Sequence, residues 1–80
     1  STPAGDSHRL TLAELESDLE FARGDLEAAK DIALEGIEQC DASRVGQRHR
    51  ARLLACVGRV FLNTGRFVEA QECFQTMVAD

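Results

Sequence analysis

Eighty residues, 44% hydrophobic and 29% charged, suffice for one small domain, which buries about two-thirds of the surface its unfolded chain exposes. One Pro, no Trp and no Tyr argue against a sandwich, a barrel or an aromatic platform for nucleic acid. The net charge of −5 also argues against nonspecific nucleic-acid binding, and it is uneven: residues 1–41 hold 11 acidic and 3 basic side chains (−8), residues 42–80 hold 3 acidic and 6 basic (+3).

The chain opens on polar residues, with Pro3 and Gly5 among them, so residues 1–9 read as a flexible lead-in without a signal peptide. Because it starts at Ser1 and stops at Asp80 just inside an apolar segment, the sequence reads as a piece of a longer protein or as one processed at its start. A first helix is predicted from Thr11, where Thr11-Leu12-Ala13-Glu14 forms a capping box and Leu10 and Leu15 stand at the spacing of a hydrophobic staple. Leu12, Leu15, Leu19 and Ala22 recur at three and four residues as its apolar stripe. Gly24 ends it, since a left-handed C-terminal residue costs glycine little.

Asp25 caps a second helix to about Glu38–Cys40, with Leu26, Ala29, Ala33 and Ile37 inward and Ile32 beside them. Gly36 inside this pattern costs roughly 1 kcal/mol against alanine, which implies the close approach of a neighbour. Asp41-Ala42-Ser43 is a short turn offering two caps for a third helix, which extends to Asn63-Thr64 with Leu53, Leu54, Val57, Val60 and Phe61 inward. Gly65 breaks it. The fourth helix, from about Phe67, presents Phe67, Ala70, Cys73, Phe74, Met77 and Val78. No alternation supports a strand, and short connections make consecutive helices antiparallel neighbours. The expected fold is all-α: four helices in two antiparallel helix–turn–helix hairpins, the second packed on the first.

Cys40, Cys56 and Cys73 are odd in number and form no CxxC, so they read as small apolar residues in a reducing compartment, and the protein as cytoplasmic. No apolar run approaches the ~18 residues of a membrane span. His8 and His49 have no second ligand at metal spacing, and neighbouring arginines would oppose protonation of His49. No metal, cofactor, nucleic acid or membrane is expected.

Gly24-Asp25-Leu26 with Ala29 and Gly65-Arg66-Phe67 with Ala70 share one spacing, 41 residues apart, which suggests a repeated unit. The second unit resembles the tetratricopeptide repeat. Leu54 stands where that family usually has tryptophan, followed in register by Val57-Gly58, Phe61, Ala70 and Phe74, and the turn at Gly65 is similar. In the first unit Ser17 takes the small position, Gly24 the turn and Ala29 the alanine, while Glu16, Glu20 and Ala33 depart from the pattern. The period exceeds the family's usual ~34 by about two helical turns. The resemblance implies units over about 11–40 and 43–80, stacked in an array that binds another protein.

On the third helix Arg48, Arg52, Ala55, Arg59 and Asn63 fall in one line. By the resemblance, Arg52, Ala55, Arg59 and Asn63 point into a concave groove, where arginine could hold the carboxylates of an acidic peptide. The competing reading is a solvated face paired locally with acids, each such pair contributing about 0–1 kcal/mol. The family's chaperone-binding clamp would place a lysine at Ala55 and an asparagine at Arg59, so that subclass is not expected.

Glu14/Asp18 and Glu16/Glu20 are like-charge pairs on opposite sides of the first helix. They read as a surface for a basic neighbour, without the shared cleft that catalysis requires. The expectation is a non-enzymatic interaction module that binds a protein or peptide or associates with itself. Two alternatives stand beside it: a sensing segment of a signalling or transcriptional regulator, as in long-helix versions of the family, and a plain four-helix bundle.

Overall fold

The computed structural model describes the backbone of residues 3–78 and the side chains of residues 7–78. Four helices make up the fold: α1 (Pro3–Ala22), α2 (Leu26–Glu38), α3 (Arg44–Asn63) and α4 (Phe67–Val78). Among the described residues there is no strand. The all-α expectation holds, and the starts of α2 and α4 fall where Asp25 and Phe67 placed them.

The start of α1 does not. Ser1 and Thr2 of the expected lead-in lie outside the described residues, but residues 3–9 are helical, and Thr11 stands inside a continuous helix with no terminal amide for its capping box to serve. Two causes favour the longer helix. Proline is well suited to a first helical position, where its missing N–H is no loss. The early turns are also held to α3: Leu10 is 5% exposed, and Ser7 Oγ lies 3.0 Å from His49 Nε2.

The buried side of α1 also differs from the expected stripe. Leu12, Leu15 and Leu19 are 42%, 59% and 57% exposed, and Ala22 is exposed as well. The helix instead turns Leu10 and Ser17 inward, with Ala13, Glu14 and Phe21 half-buried beside them. The reason is proximity. Ser17 is small enough for α2 to come close, and its hydroxyl donates to the Ala29 carbonyl at 2.8 Å, satisfying a buried polar group that leucine could not.

Both hairpin turns are built alike. Gly24 and Gly65 take φ of +88° and +77°, the left-handed conformation open to glycine. Asp25 N donates to Glu20 O, and one period later Arg66 N donates to Phe61 O, both at 2.9 Å. These are the wrap-around bonds that close a helix C-terminus. Ala29 N to Asp25 O and Ala70 N to Arg66 O, both 3.0 Å, then start the second helix of each hairpin. Helix bounds at the turns follow the same offset, Ala22 with Asn63 and Leu26 with Phe67.

Caps fix the remaining ends. Asp25 accepts from Ala28 N at 3.1 Å, and Ser43 accepts from Gly46 N at 3.0 Å, so the serine is the cap of α3. Helix α3 packs against the other three, whereas α4 meets α3 alone. A closed four-helix bundle would bring α4 beside α1, a contact that does not occur among the described residues.

The core lies where α3 crosses the first hairpin. Leu10, Ala33, Leu53, Cys56 and Val57 form its centre, with Ala13, Ile37 and Phe61 against it. Gly36 permits the approach expected of it: a Cβ there would lie 2.9 Å from Leu53 Cδ1. At Gly58 a Cβ would meet the Phe74 ring at 2.7 Å, so the nearest neighbour of this glycine is the aromatic rather than Ala70. On α4 only Ala70 is buried. Phe67 and Val78, expected inward, are 65% and 74% exposed because no element covers the far side of α4.

Candidate functional site

Because α3 runs unbroken over twenty residues, at 100° per residue it lines up Arg48, Arg52, Ala55, Arg59 and Asn63. Arg48, Arg52 and Asn63 are exposed, and Ala55 and Arg59 half-buried. Across from this line α1 presents Glu14 and Asp18, one turn apart. Arg59 Nη2 donates to Asp18 Oδ1 at 2.6 Å, and Arg52 Nη1 stands 3.9 Å from Glu14 Oε1. The basic neighbour expected for this acidic side is therefore the chain's own third helix. Glu20, on the other side, pairs with Arg23 at 3.1 Å.

Arg59 is the most constrained member. Its guanidinium carbon sits 4.1 Å from the centroid of the Phe21 ring, a cation–π contact, and its buried Nε has no hydrogen-bond partner. Asp18 Oδ1 also lies 3.8 Å from the Cys56 thiol. Burial pushes that thiol above its ordinary value, with the Asp18 carboxylate adding to the effect. Asn63 donates Nδ2 to the Arg59 carbonyl at 2.9 Å, closing the line on itself at its C-terminal end. Arg52 is the opposite case: its side chain is 58% exposed, at the outer limit of an ion pair.

His49 stands among arginines in the sequence, and the structure gives it a definite place. It is 5% exposed, with Nδ1 2.7 Å from Glu14 Oε2 and Nε2 3.0 Å from Ser7 Oγ. In the neutral tautomer that donates from Nδ1, the ring satisfies both neighbours: Glu14 accepts, and Ser7 donates to Nε2. The connectivity is that of a serine–histidine–carboxylate chain, but it is buried in the seam between α1 and α3, where it pins the two helices. A signal for this burial existed. His49, Leu53, Cys56 and Val60 recur at four, three and four residues, one helical stripe, and all four are buried.

The packing signature comes together in part. Leu54, Val57, Gly58 and Ala70 are buried, with Phe61 and Phe74 half-buried alongside. Ala29 is fully buried under Ser17, and Gly24 and Gly65 form the two turns. Among the described residues no group of three or more His, Cys, Asp or Glu side chains could hold a metal ion. Among the described residues no helix is long and apolar enough to cross a membrane. Compared with known proteins, the chain matches no family model, no curated protein and no solved structure.

Proposed function

We propose that the chain is a non-enzymatic protein-interaction module made of two tetratricopeptide-like units. The observation that carries this reading is the recurrence of a whole hairpin, helix bounds and turn hydrogen bonds together, at an offset of 41 residues. Repetition of that kind places equivalent helix faces side by side and makes an extended surface for a partner. The second unit supplies the family's small–aromatic packing through Gly58, Ala70 and Phe74.

The contact surface is the arginine line, and the partner is an acidic segment. Arg59 is committed to Asp18 and Phe21, so it serves as the fixed floor of the surface. Arg48 and Arg52 are the exposed members able to turn toward a carboxylate, and Arg52 leaves Glu14 at a cost of about 0–1 kcal/mol. Arginine suits the task because its planar fork binds a carboxylate through two parallel bonds.

The test is fluorescence anisotropy with a set of labelled acidic and charge-neutral peptides. Wild type is expected to bind an acidic member more tightly as salt is lowered, and Arg48→Gln/Arg52→Gln to weaken it at least tenfold with the circular dichroism spectrum unchanged. Equal affinity of the variant would remove the arginine line as the contact surface. Arg59→Glu is unsuitable as a probe, since it would place two acids in contact.

A further inference from the structure

The offset of 41 residues also relates two surfaces that the fold leaves uncovered. On α3, the stripe His49, Leu53, Cys56 and Val60 is buried; His49 reaches Glu14, Cys56 reaches Asp18 and Leu53 lies against Gly36. This is the stripe by which α3 sits on the first hairpin. One period earlier the same positions are His8, Leu12, Leu15 and Leu19, all exposed. The leucines that break the expected inward pattern of α1 are thus placed where α3 carries its docking residues.

The receiving surface recurs too. Beneath α3, the first hairpin offers Ala33, Gly36 and Ile37 of α2. One period later these are Phe74, Met77 and Val78 of α4. Phe74 and Val78 border an open trough of about 620 Å³ whose walls also include Leu62 and Phe67. Leu62 corresponds to Phe21 and Arg59 to Asp18, the α1 residues that Arg59 contacts.

We propose that a second copy of this chain docks its Leu12–Leu15–Leu19 stripe into the Leu62–Phe67–Phe74–Val78 trough, so that copies add head to tail. This deepens the interaction-module reading and rests on its two-unit description of the chain. The offset itself selects this occupant. In the chain itself, position 59 of the upper helix reaches position 18 of the lower one. In the next step Asp18 of the incoming copy takes the upper place and Arg59 the lower, so a second acid approaches a guanidinium that already holds its own Asp18. The contact joins unlike surfaces, so it extends beyond a dimer, into a ring or a filament.

Sedimentation equilibrium tests this with two variants altered only at exposed residues. Leu15→Glu/Leu19→Glu removes the docking stripe, and Phe67→Glu/Val78→Glu removes the trough. Wild type is expected to rise past dimer mass with concentration, each variant alone to remain monomeric and helical, and an equimolar mixture to give a species that stops at two chains. A wild type monomeric at every concentration overturns the proposal, and so does either variant still associating alone, which would indicate a symmetric contact or another face. A mixture that stays monomeric also overturns it. Peptide binding by the two monomeric variants separates this result from the module reading: retained binding keeps the module whichever way association turns out.

Discussion

A histidine with both ring nitrogens in use is worth more to a small helical protein than its size suggests. His49 joins Ser7 and Glu14 of α1 to α3, and removing it strands a carboxylate whose remaining cation, Arg52, lies 3.9 Å away. Losing one partner of a buried hydrogen-bonded pair costs about 1–3 kcal/mol. Urea denaturation of His49→Ala should therefore show destabilisation of about 2 kcal/mol, against a few tenths for His8→Ala at an exposed site. The three thiols give a second measurable consequence. Burial raises Cys40, Cys56 and Cys73 above their ordinary value, and Cys56 has the Asp18 carboxylate beside it as well. Only thiolates react with iodoacetamide, so alkylation of the native chain at neutral pH should be slow at all three and slowest at Cys56. Mass spectrometry after brief labelling reads the order, and denaturant should equalise the rates.

At the scale of the element, two exposed carboxylates guard helix starts, and their response to acid has a defined sign. Bonds from Ser43 hold Asp41 below the ordinary carboxylate range at the entry to α3. The Arg66 guanidinium does the same to Glu69 in the first turn of α4, with Arg66 Nε 2.6 Å from its carboxylate. A folded-state value lower than the unfolded one means that the unfolded chain binds the proton more tightly. The contribution is therefore complete above the unfolded value near about 4 and is lost as pH falls through the lowered folded one. Melting temperatures measured between neutral and strongly acidic pH should decline in that lower window, with a shallower slope for Asp41→Ala/Glu69→Ala. The cap of α2 was legible, because Asp25 stands directly before an apolar helical pattern, whereas the turn before α3 offered two candidates, Asp41 and Ser43, of which Ser43 serves. The capping box at Thr11 was misleading. A capping sequence stops nothing when the preceding residues can be helical and are held by Leu10 and Ser7.

Across the whole molecule, contacts are graded from one hairpin to the other. Among the described residues, helix α3 is wedged among three neighbours, while α4 lies on α3 alone and buries only Ala70. Local opening follows buried contact. Hydrogen exchange should therefore be slowest for the α3 amides around Leu53–Val60 and fastest in α4. Association of copies through the α4 trough would slow α4 exchange as concentration rises, a change absent from Phe67→Glu/Val78→Glu. The same gradient explains why Phe67 and Val78 read as core and are exposed. A periodic stripe says which side of a helix is apolar, and covering that side takes a neighbour that α4 lacks here.

Sequence by itself determined the helix count, the two glycine turns, the offset between them and the inward faces of α2 and α3, because these follow from local periodicity and from the backbone freedom of single residues. It also separated the Glu14/Asp18 side of the first helix from the Glu16/Glu20 side. Tertiary structure alone decided which of two stripes α1 would bury, and it chose Leu10 and Ser17 over the more apolar Leu12, Leu15 and Leu19. Periodicity ranks faces by hydrophobicity, whereas packing ranks them by how closely a neighbouring helix can approach and whether its polar groups are satisfied. The pairing of Arg59 with Asp18 and of His49 with Glu14 was decided there as well, since both join residues far apart in the chain whose meeting depends on how α3 lies across α1.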